Sequence, residues 1–255
     1  MTAVDPAVVA EPRARRHELP GIHNLRDTGG YRLGEGSGRW GRLFRSDALH
    51  RLDDAGRARL AELGIAHVVD LRGESERKAA PSRLDGLDVR VHELPVFDEA
   101  APAEQLRLEA GLEPVYAHMV DERGDRLAAA IKVIADAGED EAVLVHCTAG
   151  KDRTGLVIAF ALAAAGVERE DVVADYAATE ANLRGEWADA MLAGLTGRGA
   201  ELTPAVVELV TASPAPVLTR LLERIDREHG SMRGYLVAQG LADADLDRLA
   251  ASLAA

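Results

Sequence analysis

The stretch "EAVLVHCTAGKDRTGLVIAFALAAAG", residues 141–166, decides the fold. Residues 141–147 are a short, β-branched, apolar run and read as a buried strand. Residues 153–166 are apolar on every side, which marks a helix at the centre of a domain. The longest apolar run, 155–166, is too short to cross a bilayer. Between strand and helix lie five residues: Thr148, Ala149, Gly150, Lys151 and Asp152.

A five-residue turn from a strand into a helix can curl until its backbone N–H groups converge, and the helix N-terminus adds partial positive charge at the same point. Such a bowl suits a tetrahedral oxyanion. Gly150 supplies the backbone freedom that the curl needs, and Arg153 can hold two oxygens of the anion at once. Cys147, at the base, is the only cysteine of the chain. The same field favours its thiolate, the nucleophilic form. Thr154 is expected to donate a hydrogen bond to the sulfur, and His146 to fix the loop rather than to act as a base. A lone cysteine at a strand end is most often a small buried hydrophobe. The full pattern outweighs that reading: His-Cys, five residues, then Arg-Thr, between an apolar strand and an apolar helix. Phosphoryl transfer to sulfur, then to water, is the chemistry it suits. "AGKDRTG" also has the flavour of a nucleotide-binding loop, but Asp152 stands where Ser or Thr must hold magnesium, and Val145 where the first glycine belongs.

Outward from this centre, 65–72 and 88–96 read as strands, 53–64 as a helix capped by Asp53 or Asp54, and 75–86 as a polar connection containing a proline. Residues 21–49 are glycine-rich turns with short strands, and 103–138 are mainly helical. From 170 onward only helices follow. Strands alternating with helices predict an α/β fold: a mostly parallel central sheet flanked by helices, with a helical C-terminal portion. Residues 1–17 read as a flexible tail and 18–255 as one domain. The acidic residues of 168–189 read as a solvated helix face.

The 255 residues carry a net charge of −13, which excludes a general nucleic-acid binder, since such proteins need clustered cations. One cysteine fits a reducing compartment. The N-terminus lacks the order of a signal peptide, so the expected location is cytoplasmic, without stable membrane insertion. Nothing in the sequence sets an oligomeric state. The histidines show no metal-ligand spacing, and no metal or other cofactor is expected, because loop amides and Arg153 supply the charge stabilisation a metal would give.

"HCTAGKDRTG" resembles the signature of the cysteine-dependent tyrosine phosphatases. "LPGIHNLRDTGGY" (19–31), "GRLFRSDALHRLDDAG" (41–56), "VVDLR" (68–72), "LPVFDE" (94–99), "VVADYAATEANL" (172–183) and "ERIDREHGSMRGYL" (223–236) are similar, in the same order, to the bacterial branch that includes the mycobacterial-type phosphatase B. The resemblance implies Cys147 as nucleophile, Arg153 as phosphate ligand, and Lys151 and Asp152 at the pocket mouth. It implies a general acid shortly after a Leu-Pro pair, here Asp98 after Leu94 and Pro95. It implies a pair of lid helices, from about 184 to 215. It also implies substrates among phosphotyrosine, phosphoserine/threonine and phosphoinositides, and a family whose members can be exported without a signal peptide.

The chemistry asks for an acid independently, to protonate the leaving oxygen. Asp98 is favoured; Asp152 could instead orient water or substrate, and Asp70 reads as structural. Asn24, Arg26 and Asp27 read as a hydrogen-bonded turn supporting the loop from behind. Tyr116, Phe97 and Tyr31 are the aromatic residues available to sandwich a phosphotyrosine ring. A phosphate-binding module without turnover would be expected to have lost Cys147, Arg153 or the acid. Arsenate reduction needs resolving cysteines that the chain lacks.

Overall fold

The computed structural model describes residues 15–98 and 111–255. Its strands are β1 (Arg26–Asp27), β2 (Arg32–Leu33), β3 (Gly36–Ser37), β4 (Leu43–Ser46), β5 (Ile65–Asp70), β6 (Arg90–Glu93) and β7 (Ala142–His146). Its helices are α1 (Asp54–Glu62), α2 (Glu74–Ala79), α3 (Leu112–Glu122), α4 (Gly124–Asp136), α5 (Asp152–Ala165), α6 (Arg169–Leu183), α7 (Glu186–Gly197), α8 (Pro204–Thr211), α9 (Ala215–His229), α10 (Met232–Ala238) and α11 (Asp243–Leu253).

The main sheet has the order β1-β4-β7-β5-β6. Every pair is parallel except β1 with β4. A parallel sheet needs cover on both faces, and the strand period of two supplies it. Leu43, Val69, Val143 and Val145 join the larger core with α3 to α6, α9, α10 and α11. Phe44, Ile65, Val68 and Leu144 join a smaller one with Leu25, Leu49 and Leu60. Central β7 is buried along its whole length, as is all of α5 except Asp152 and Ala163.

The register brings the carboxyl ends of three strands level, with Ser46 and Asp70 both opposite His146. The turns leaving β4, β7 and β5 therefore meet at one edge, where ligands bind in open α/β sheets.

The expected mostly parallel α/β sheet is the one observed. Three local differences are physical. The polar connection after β5 contains α2, whose start is stabilised by the Glu76 carboxylate accepting from Gly73 N at 2.9 Å. Helix α10 adds a short element to the helical C-terminal stretch; it is only seven residues long and is capped by Ser231, whose hydroxyl accepts from Gly234 N. Of the expected tail, Arg15 to His17 belong to the fold: Arg15 lies over the Tyr31 ring and donates to Gly29 O at 2.8 Å. Residues 1–14 lie outside the described residues. Among the described residues no single helix is long and apolar enough to cross a membrane.

Candidate active site

The loop from Cys147 to Arg153 is a bowl held from outside by its carbonyls. Thr148 O accepts from Ala48 N at 3.0 Å. Ala149 O and Gly150 O each accept from Asn24 Nδ2 at 3.1 Å. Gly150 O also accepts from Arg45 Nη2 at 2.8 Å. In a planar trans peptide the N–H points opposite the C=O. Pulling these three carbonyls outward therefore turns the amides of Ala149, Gly150 and Lys151 toward the other side, an anion-binding concavity. Gly150 has φ +64°, and a Cβ there would come within 2.2 Å of Ser46 O, so the position admits only glycine.

Behind the loop lies a buried charge cluster. Asp175 receives Arg26 Nε at 3.0 Å and also bonds Arg45 Nη1. Thr179 Oγ1 receives both guanidiniums. Asn24, whose side chain carries the loop carbonyls, is itself fixed by Arg26 and Asn182. The supporting role read for Asn24 and Arg26 is thus what the contacts describe. Asp27 closes its turn by accepting from Gly29 N and Gly41 N.

The reading of all acidic residues in 168–189 as a solvated face is corrected at Asp175. It lies on the stripe Val172, Asp175, Tyr176, Thr179 and Leu183, which helical spacing turns inward. Burial alone would raise its pKa, but Arg26 and Arg45 hold it at about 2.

Cys147 and Arg153 lie buried together, 2% and 5% exposed. Burial works against the guanidinium charge, yet Cys147 and Glu76 beside it keep its pKa above the ordinary value. Arg153 is gripped by Glu76 of α2, Nη1 to Oε2 at 2.6 Å and Nη2 to Oε1 at 2.8 Å. Thr148 Oγ1 donates to the same Glu76 Oε1 at 2.5 Å. Glu76 is a site residue the sequence reading missed, because its segment looked like a polar loop. Its only signal was its place three residues after Gly73, where an acidic side chain can cap a helix start.

Lys151, 1% exposed, donates to Asp152 Oδ1 at 2.7 Å and to Ala212 O, just past α8, at 3.0 Å. Thr154 Oγ1 is buried with no hydrogen-bond partner among the described residues, so the expected bond to sulfur is not made in this state. His146 Nδ1 lies 3.2 Å from Cys147 O. Burial lowers its pKa against the pull of Asp70, which keeps the imidazole neutral near pH 7. Asp70 is structural, paired through both carboxylate oxygens with Arg72 at 2.9 and 2.7 Å.

Asp98 is not brought to the loop. Its carboxylate is 62% exposed and faces Arg126 at 3.0 Å and Arg123 at 3.8 Å. The aromatic residues expected at the substrate ring, Tyr116, Phe97 and Tyr31, are all packed in the core. Beside Thr148 lies a cavity of about 250 Å³, walled on one side by Trp187, Met191 and Leu195 of α7 and on the other by His23 and His50.

A model of the tyrosine phosphatase family matches residues 17–255. The chain is 35% identical over 272 residues to the triple specificity protein phosphatase PtpB of Mycobacterium tuberculosis, spanning 91% of this chain and 96% of that protein. It is 32% identical over 148 residues to a tyrosine-protein phosphatase of Nostoc commune, spanning 56% of this chain and 50% of that protein.

Proposed function

The chain belongs to the tyrosine phosphatase family, and from that premise we propose that it hydrolyses phosphotyrosine, with phosphoserine and phosphothreonine as further substrates, through a phosphocysteine intermediate on Cys147. One observation carries the reading: a cysteine and a buried arginine stand at the two ends of a loop whose Thr148, Ala149 and Gly150 carbonyls are drawn outward.

The substrate phosphate sits in the bowl, its equatorial oxygens on the loop amides and on Arg153. The Cys147 thiolate attacks phosphorus in line with the bond to the leaving oxygen. That bond breaks, and the departing phenoxide takes a proton from a carboxylic acid. Water then attacks the phosphocysteine, the carboxylate takes the water proton, and sulfur leaves as thiolate with inorganic phosphate released. Charge stays within fixed dipoles throughout, the usual source of most of the rate.

Asp152 is the better acid here. It belongs to the loop itself, next to Arg153, and its side chain is partly open at 29%. Asp98 is the alternative, from its place after Leu94 and Pro95, but it is solvated and tied to two arginines. The stretch 184–215, holding α7 and α8, serves as the lid, supported by the cavity it closes beside Thr148 and by Lys151 bonding to Ala212. Phosphoinositides are a second reading, favoured by the extra cation Lys151 in the loop. The single cysteine, needed as thiolate, fits a cytoplasmic setting.

The test is hydrolysis of p-nitrophenyl phosphate and of phosphotyrosyl peptides, phosphoseryl peptides and phosphoinositides by wild type and Lys151→Ala. Cys147→Ser should abolish turnover in a folded protein. Substantial activity in that variant rules out the covalent route. Asp152→Asn should slow poor leaving groups far more than good ones, and if Asp98→Asn does so instead, the acid is Asp98.

A further inference from the structure

Asp152 is reached by a chain of buried hydroxyls. Tyr116 on α3 donates from its phenol to Asp152 Oδ1 at 2.8 Å. The same phenol oxygen lies 2.7 Å from that of Tyr176 on α6. Both side chains are buried, 1% and 0% exposed, with their rings packed edge to face at 6.2 Å. Lys151 Nζ donates to the same Oδ1 at 2.7 Å.

A phenol has one proton to give. Tyr116 gives its own to Asp152, so Tyr176 must be the donor across the contact between them. The chain therefore runs one way, from Tyr176 to Tyr116 to Asp152. Burial holds both phenols above their ordinary pKa, and the Asp152 charge adds to it; neither ionises in the working range. Oδ1 thus faces two donors. Oδ2 makes no hydrogen bond to another described residue.

We infer that Tyr116 and Tyr176 are positioning residues that, with Lys151, saturate Asp152 Oδ1 with donors, so that Oδ2 alone carries the proton given to the leaving oxygen and later taken from water. The inference rests on Asp152 being the acid. When Oδ2 releases its proton, negative charge grows on a carboxylate whose other oxygen is already solvated by fixed groups. The phenols select which atom reacts and in which direction it points. The same arrangement explains why Tyr116, read as available to a substrate ring, is instead buried next to the loop.

The charged and titratable groups facing this carboxylate are Lys151 of the loop, Arg153 of α5, Tyr116 of α3 and Tyr176 of α6, with Arg45 and Glu180 behind Tyr176. Tyr116→Phe and Tyr176→Phe leave every charge in place and remove only a neutral donor. A donor to an ionised group favours the ionised form. Without it the acid stays protonated to higher pH, and the basic limb of the kcat/KM profile moves upward.

The experiment is the pH dependence of kcat/KM for phenyl phosphate and p-nitrophenyl phosphate, with folding checked by circular dichroism and thermal melting. Tyr116→Phe should raise the basic limb by about one pH unit. Tyr176→Phe, acting only through Tyr116, should raise it by less, and should be readable even if Tyr116→Phe fails to fold. The acidic limb should not move. A folded variant that loses rate with no displacement of the basic limb overturns the inference. Asp152→Asn separates the two claims. If it slows both substrates alike, Asp152 is not the acid. If it slows phenyl phosphate selectively while both phenylalanine variants keep the wild-type limb, only the tyrosine relay falls.

Discussion

Glu76 holds both terminal nitrogens of Arg153 while the same carboxylate takes the Thr148 hydroxyl. One acidic side chain on α2 thus ties the first residue after Cys147 to the arginine that ends the loop. Arg153 Nε makes no bond to another described residue, so the guanidinium keeps an edge for an oxyanion while the other edge is fixed.

Glu76→Ala should therefore let Arg153 swing away from the bowl. Misplacing a binding group by an ångström costs roughly a hundredfold in rate, and kcat/KM for p-nitrophenyl phosphate should fall by about that much. Vanadate, which occupies the bowl as a trigonal phosphate mimic, should inhibit the variant less well. Wild-type kcat/KM in Glu76→Ala would show that Arg153 holds its place unaided.

The cluster of Arg26, Arg45 and Asp175 places one carboxylate between two buried cations. Removing one partner of a buried pair typically costs about 3–5 kcal/mol, and Asp175→Asn should lower the denaturation midpoint accordingly. The pH dependence follows from the depressed pKa of about 2. Its stabilisation is fully present above the unfolded carboxylate value near 4 and is lost as pH falls from there toward 2. Wild type should lose more stability than Asp175→Asn over that interval. Parallel stability curves for the two proteins between pH 4 and 2 would contradict this.

Gly150 should tolerate no side chain. Gly150→Ala puts a Cβ against the Ser46 carbonyl and holds alanine at φ +64°. The loop must shift to relieve this, which breaks its bonds to Asn24 and Arg45. Activity should be lost with a fall in melting temperature, and an active, equally stable Gly150→Ala would mean the bowl can deform freely.

The sheet and the cysteine loop were legible because both rest on local pattern. β7 and α5 are apolar on all faces, and the spacing from Cys147 to Arg153 lies within one turn of chain. Asp175 was misread because its sequence neighbours Asp171 and Glu180 do lie nearer the solvent, and only the packing of α6 against Arg26 and Arg45 separates it from them. Glu76 was missed for a related reason. It meets Arg153 across 77 positions, through a strand register that brings β5 and β7 level. Tyr116 was visible as an aromatic residue, but its link to Tyr176 was not, since 60 positions separate the two hydroxyls that touch.

Helices α7 and α8 give the last prediction. Lys151 bonds at once to Asp152 in the loop and to the Ala212 carbonyl at the end of α8. An oxyanion in the bowl competes for that ammonium, since a doubly charged ligand is a stronger partner than a neutral carbonyl. Occupying the bowl should loosen the hold on α8 and alter α7, whose Trp187 lines the cavity beside Thr148. Vanadate should therefore change the tryptophan fluorescence of the wild type. Trp187→Phe should abolish the change, because the other tryptophan, Trp40, packs near Arg15, outside that cavity. Lys151→Ala should already show part of the change without vanadate. An identical response in Trp187→Phe, or none in the wild type at saturating vanadate, would mean that α7 does not report on the bowl and that the two helices are a fixed wall.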